Sequence, residues 1–276
     1  MADPRAQTRA TIVMEWGQRG AEAICHAGSV AVIIDVLSFT TTLTIAIDAG
    51  AEVYPFPFND ASASEFARRR RATLAVDRFD AQGSPGAVSL SPASMRAAAG
   101  LARIVLPSPN GSALARVLAD RHVTVVGAAL RNRAAVARWL AARLAAGAGG
   151  TLVGGTLLAG GTGAGMTAAD STVAVIAAGE RWADDSLRLA VEDLWGAGAV
   201  IAALRDLTAT DLSQEAQAAA AAWADAAAAL PARLADCASG RELVAKGCAE
   251  DVAIAAELDA SDCVPILSGE RFINAQ

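Results

Sequence analysis

The feature of this chain that most restricts its fold is a series of short, unbroken apolar runs set among longer helix-forming stretches. Val30–Ile34 (VAVII), 103–106 (RIVL), 123–126 (VTVV) and 172–177 (TVAVIA) read as strands, with 51–54 as a further short one. Each leads into a turn and then into sequence of helical propensity. Residues 40–49 follow VAVII in this way, and a helix from Ala61 into the arginine run 68–71 follows 51–54. A strand that alternates apolar and polar residues covers one face of a sheet, whereas one that is apolar throughout is buried on both. Helices between such strands are the crossovers that parallel pairing requires. The expected class is α/β, three layers deep, with a largely parallel sheet flanked by helices, and with 11–14 (TIVM) as an edge strand.

The last third reads as helical. Residues 186–204 predict an amphipathic helix, 212–230 an alanine-dominated one, and 241–257 one or two shorter helices broken at Gly247. No sharp linker divides the chain, so one domain over 1–276 is expected, with the glycine-rich stretch 146–165 as the only candidate internal boundary. The uncharged stretch 144–169 is long enough to raise the question of a membrane span, but its glycine content argues against a spanning helix. Asp3, Arg5 and Arg9 leave no room for the apolar core of a signal peptide in the first ten residues. A soluble, cytoplasmic protein without a membrane partner is expected.

Composition narrows the chemistry. A formal charge of −6 argues against a nucleic-acid partner. Of the 23 basic side chains only Lys246 is a lysine, and His26 and His122 are the only histidines, so a multi-histidine zinc site is excluded. The four cysteines show no C-x-x-C spacing and read as small buried thiols.

In an open parallel sheet, ligands bind beyond the carboxyl ends of the strands. Three such ends carry polar groups. Asp35 follows VAVII and precedes Ser38, Thr40, Thr41 and Thr42. Ser108, Asn110, Gly111 and Ser112 follow RIVLP, and Glu180 and Arg181 follow TVAVIAAG. A helix opening at Asn110-Gly111-Ser112 offers backbone N–H groups to a phosphate, or else is an ordinary capped start. The hydroxyls of Thr40 and Thr41 carry the same ambiguity. An acid abutting a buried strand, as Asp35 does, must be paired, coordinated, catalytic or a cap. Glu192-Asp193 falls within the expected helix from Ser186. Neighbours on a helix diverge by about 100°, so both acids point inward only if the site lies at the helix edge. Together with Asp35 they would be hard oxygen donors for Mg2+. Other signals fail. The stretch 160–167 (GGTGAGMT) has P-loop glycine spacing but Met166 in place of the lysine, and 68–71 reads as a solvated helix end.

Several ordered motifs resemble the 2-phosphosulfolactate phosphatase family. They begin with Ile33-Ile34-Asp35-Val36-Leu37-Ser38-Phe39-Thr40-Thr41-Thr42 and Pro109-Asn110-Gly111-Ser112. Ala178-Gly179-Glu180-Arg181, Val191-Glu192-Asp193 and Gly196-Ala197-Gly198-Ala199 follow. Ser239-Gly240, Leu243, Gly247, Asp251, Asp259 and Val264-Pro265 continue the likeness to the end. The resemblance implies a three-layer α/β phosphatase that uses Mg2+ to hydrolyse the phosphate ester of a small sulfonated hydroxy acid, whose product lies on the route to coenzyme M. It implies Mg2+ on Asp35, Glu192 and Asp193, and a phosphate cradled by Asn110, Gly111 and Ser112 beside Thr40 and Thr41. Arg181 would bind phosphate or the acidic end of the substrate, Glu180 would act as acid or base or else orient Arg181, and Asp35 would be ligand or nucleophile. Members often carry an arginine where this chain has Ser38-Phe39, and 146–165 has no counterpart. The alternatives are a haloacid-dehalogenase-like phosphatase, which would need Lys246 and a second acid where Leu37 stands, and a non-catalytic phosphate- or anion-binding module. The expected partner is a small phosphorylated acid, and a homo-oligomer remains open.

Overall fold

The structure, a computed structural model, describes residues 5, 7, 10–58, 60–76, 78, 87–147, 151–153, 156–158 and 172–275. Strands β1 (Ile12–Trp16), β2 (Val30–Ile34), β3 (Glu52–Phe56), β4 (Thr73–Leu74), β5 (Arg103–Pro107) and β6 (Thr124–Ala128) are interleaved with helices. These are α1 (Gly17–Ile24), α2 (Phe39–Asp48), α3 (Ala61–Arg70), α4 (Pro92–Ala97) and α5 (Gly111–Ala119). After α6 (Arg133–Gly147) come a small hairpin, β7 (Thr151–Val153) with β8 (Thr156–Leu158), then β9 (Val173–Ala177). A second small hairpin pairs β10 (Glu180–Arg181) with β11 (Leu187–Arg188). Helices α7 (Val191–Leu207), α8 (Gln214–Ala226), α9 (Leu230–Asp236), α10 (Ala238–Ala245) and α11 (Ala249–Ala255) precede β12 (Pro265–Ser268) and β13 (Arg271–Asn274).

Nine strands form the main sheet in the order β1-β9-β2-β6-β12-β13-β3-β5-β4. β1, β9, β2 and β6 run parallel to one another, as do β3, β5 and β4. The expected layering follows from the apolar runs. Val30, Val32 and Ile34 of β2 enter one apolar cluster with Leu140 of α6 and Val200 of α7, while Ala31 and Ile33 enter another with Leu43 of α2 and Leu118 of α5. The edge position of β1 is as expected. All four cysteines are buried, free thiols. Among the described residues no helix is long and apolar enough to cross a membrane.

Three expectations change. The C-terminal β12–β13 hairpin, which sequence patterning does not reveal, lies between β6 and β3 and pairs antiparallel with each through one residue pair, Ile266 with Val126 and Phe272 with Val53. The helix expected from Ser186 begins at Val191, because Leu187–Arg188 pair with Glu180–Arg181 instead. The helix expected over 212–230 ends at Ala226, and a new one starts at Leu230 with a proline in its first turn. Most of 146–165, and all of 160–167 with its P-loop-like spacing, lies outside the described residues.

Helices α7 and α8 approach closely at Gly198. A Cβ built there would lie 2.6 Å from the Ala219 carbonyl carbon and 2.9 Å from the Trp223 Cβ. In an exposed helix Gly→Ala gains about 1 kcal/mol; here the obstacle is backbone, which cannot rotate aside. Overpacking of a rigid contact dominates, and Gly198→Ala is expected to lower stability by about 2 kcal/mol net. Urea unfolding with an unchanged m-value would measure it, and an unchanged or raised midpoint would show that α8 can shift.

Candidate active site

The turn from β2 into α2 is built around Asp35, which is 5 % exposed. Its Oδ1 accepts the Phe39 N–H at 3.0 Å and its Oδ2 the Gly111 N–H at 2.9 Å, so one carboxylate joins the starts of α2 and α5. Only glycine permits this approach, since a Cβ at 111 would lie 2.7 Å from Asp35 Oδ2 and 2.9 Å from Phe39 Cγ. Thr40 Oγ1 accepts the Asp35 N–H and donates to the Asp35 carbonyl, at 3.0 and 2.7 Å, and Thr41 Oγ1 donates to the Val36 carbonyl. Burial raises the Asp35 pKa to about 6; the two backbone N–H groups oppose this, the Glu192 charge adds to it, and Arg78 opposes it.

Both acids of Glu192-Asp193 are buried, 2 % and 3 % exposed. Because α7 starts at Val191, they occupy its first turn, the helix edge that two inward-facing neighbours require. Asp193 Oδ1 accepts the Val36 N–H at 2.7 Å and Oδ2 the Gly179 N–H at 2.8 Å, which clamps the β2–α2 turn to the end of β9. Its pKa is pushed well up by burial and by the charges of Asp35 and Glu192. Glu192 Oε2 accepts a long 3.4 Å contact from the Cys237 thiol, and burial and the Glu192 charge raise that thiol to about 12.

The third strand end completes the group. Asn110 Nδ2 donates to Glu180 Oε2 at 2.9 Å. Burial first, then the Asp35 and Glu192 charges, lift the Glu180 pKa to about 7, against the pull of Arg188 and the Asn110 hydrogen bond. Arg181 lies at the rim with its side chain 41 % exposed, and its Nη2 donates to the Pro109 carbonyl at 3.0 Å. Asp35, Asn110, Glu180 and Arg181 line one cavity of about 450 Å3, into which Pro57 and Phe58 beyond β3 also project.

The structure brings Asp35, Asn110, Glu180 and Arg181 to one cavity and turns part of the expected cradle away from it. Thr40, Thr41 and Ser112 are fully buried, and their hydroxyls donate to the carbonyls of Asp35, Val36 and Leu106. They shape the turns and present no hydroxyl to the cavity. The Gly111 N–H already serves Asp35, and Asp35 and Asp193 each have both oxygens on backbone N–H groups, so each is a clamp with one further lone pair per oxygen left for a ligand. Among the described residues, no three His, Cys, Asp or Glu side chains converge at metal-binding spacing. Arg78 and Arg188, which sequence reasoning missed, also line the cavity. A signal for Arg78 existed, because Thr73–Leu74 and Ala75-Val76 run into it as a fourth apolar strand end.

The model of one protein family, described as 2-phosphosulpholactate phosphatase, matches residues 19–270 of the 276, a span that includes every acid of the cavity. The chain belongs to that family. No curated protein matches it. A 2-phosphosulpholactate phosphatase family member is a phosphoric monoester hydrolase, and the strand-end cavity is where this fold brings its acidic and cationic side chains together.

Proposed function

We propose that this chain releases inorganic phosphate from 2-phosphosulfolactate or a closely related phosphorylated hydroxy acid, in the cavity beyond β2, β5 and β9, with Mg2+ as cofactor. The observation that carries the reading is the buried set of Asp35, Glu192 and Glu180 beside the cavity, where, after burial, the Glu192 charge raises the Asp35 pKa and the Asp35 and Glu192 charges raise that of Glu180. So much like charge with hard oxygen donors fits a hard divalent cation, with Asp35 and Glu192 to hold it. When bound, such an ion would neutralise phosphoryl oxygens as charge develops on them.

The chain's own groups supply the rest. Hydrolysis cleaves the P–O bond to a secondary alcohol, a poor leaving group unless it is protonated as it departs. Glu180 holds a proton near neutrality, and Asn110 fixes its Oε2, so Glu180 is read as the general acid. Water attacks phosphorus as the P–O bond to the alcohol breaks, the ester oxygen takes the Glu180 proton, and the new phosphate keeps one proton of the water and releases the other, from which Glu180 is reprotonated directly or through solvent. Arg181, at the rim, meets the anionic substrate as it enters. The rival haloacid-dehalogenase-like reading would rest on Lys246, whose half-exposed ammonium lies 2.8 Å from Glu242, and on an acid where the chain has Leu37.

The experiment is phosphate release from 2-phosphosulfolactate with Mg2+ and with EDTA. Glu180→Gln is expected to lower kcat about 100-fold. Wild-type rate is expected to fall as pH rises above about 7, where Glu180 loses its proton, and the variant is expected to lose this limb. Unchanged kcat in Glu180→Gln would remove that residue from proton transfer. Tight binding of phosphorylated acids without release would turn the reading to an anion-binding module.

A further inference from the structure

The cavity wall also carries a cation whose support is built more deeply than a surface ion pair needs. Arg78 lines the cavity, yet its side chain is only 11 % exposed. Its Nη2 donates to Ser38 Oγ at 2.7 Å and to the Leu90 carbonyl at 3.3 Å. Behind it lies Asp251, whose side chain is 2 % exposed and whose Oδ2 is 3.4 Å from Arg78 Nε. Asp251 Oδ1 accepts the Ser91 hydroxyl at 2.6 Å and the Ala93 N–H at 3.0 Å, while Oδ2 makes no hydrogen bond. Among the described residues, the carboxylate is thus anchored by one oxygen and offers the other to the guanidinium.

A buried ion pair is a weak source of stability, because desolvating both charges offsets most of their attraction. Its use lies in presenting a charge in a set orientation. Asp35 shows where that charge falls. Its Oδ1 faces the start of α2 and its Oδ2 the start of α5. Asn110 and Glu180 stand on the α5 side, whereas Arg78 reaches the cavity through Ser38, next to the start of α2. A phosphoryl group beside Asp35 and Glu180 leaves the remainder of the substrate to extend along the α2 side. Arg181 and Lys246, which also line the cavity, are more exposed, at 41 % and 47 %.

We propose that Arg78, positioned by Asp251, binds the acidic group of the substrate that is not transferred, a sulfonate or carboxylate. Guanidinium suits both, since its planar edge pairs with two oxygens at once. The proposal rests on the phosphatase reading for the identity of its ligand. It makes Arg78 the specificity residue and Asp251 a positioning residue that does not touch substrate.

The test compares 2-phosphosulfolactate with 4-nitrophenyl phosphate, an ester with no second acid. Arg78→Ala is expected to reduce the preference for 2-phosphosulfolactate, as the ratio of kcat/KM values, about 100-fold, with most of the change in KM. Arg78→Lys is expected to recover part of it, and so is added guanidinium ion with Arg78→Ala. Asp251→Asn is expected to reduce the same ratio about tenfold, yet to change it little further in the Arg78→Ala background, a coupling that a merely structural aspartate would not show. Equal losses on both esters would place Arg78 at the phosphoryl group and overturn the proposal, as would an unchanged ratio. Calorimetric binding of sulfolactate reads the same arginine without turnover. Binding that Arg78→Ala abolishes, in a protein that releases no phosphate, would sink the phosphatase reading and keep this one. A wild type that binds no sulfolactate yet turns over 4-nitrophenyl phosphate would do the reverse.

Discussion

Asp35→Asn is expected to lower phosphate release by about three orders of magnitude while the chain stays folded. The substitution keeps the side chain's shape and removes its charge and one of its acceptors. Since Oδ1 and Oδ2 each take a backbone N–H, from Phe39 and Gly111, an amide serves one of them and turns its NH2 toward the other. That mismatch costs about 1–2 kcal/mol. Against it stands the relief of a charge buried among Glu192, Asp193 and Glu180, which offsets much of the cost at neutral pH. Stability therefore moves little, and the loss of rate reports chemistry. The control is circular dichroism beside the phosphate assay with Mg2+. A folded Asp35→Asn protein that keeps rates within tenfold of wild type would remove Asp35 from the reaction, whether as ligand or as nucleophile.

What the sequence made legible, and what it hid, follows from the range of the interactions involved. VAVII ahead of Asp35 is a local pattern: five apolar residues without alternation can only be a strand covered on both faces, and the acid after it marks the strand end. Glu180 after TVAVIAAG was legible for the same reason. The roles of the Thr40 and Thr41 hydroxyls stay open in the sequence, because residue type shows that a group can hydrogen-bond but not with what. Here the nearest carbonyls, at Asp35 and Val36, claim them first. Asp193 and Val36 meet across 157 positions of chain, and no local pattern encodes that contact. The β12–β13 hairpin escapes because four-residue strands are too short for a period, although Gly269, in the two-residue connection from Pro265–Ser268 to Arg271–Asn274, is a turn signal. Arg78 was overlooked because its strand, Thr73–Leu74, has two residues.

Without a divalent cation, the protein is expected to lose stability as pH rises from about 5 to 8, a fall opposite in sense to ordinary acid denaturation. Burial above all holds Asp35 at about 6 against an ordinary 3.8, and Glu180 at about 7 against 4.5, while Asp193 is also pushed well up. An acid whose folded pKa is raised binds its proton more tightly in the native state than in the unfolded chain. Its contribution is whole below the unfolded pKa and is lost as pH climbs through the folded one. At about 1.4 kcal/mol per pKa unit, Asp35 and Glu180 account for about 3 kcal/mol each taken singly. Their repulsion makes the set titrate together, so one broad fall is expected. Surface carboxylates act oppositely at lower pH. Glu257, held below its ordinary value by its hydrogen bond to Arg96, contributes stability that is lost as pH falls through its folded pKa. Between the two effects, cation-free protein is most stable near about pH 5. Mg2+ competes with protons for the same oxygens, so its binding favours the ionised acids. At about 100 times its Kd it adds about 2.7 kcal/mol, equivalent to about 5–10 °C in Tm, at pH 8 and far less at pH 5. Thermal unfolding at both pH values, in EDTA and in Mg2+, separates the two halves of this expectation. A flat EDTA profile between pH 5 and 8 would contradict the crowding of acids at the cavity. A steep one that Mg2+ does not correct would keep the acids and remove the cation from Asp35 and Glu192.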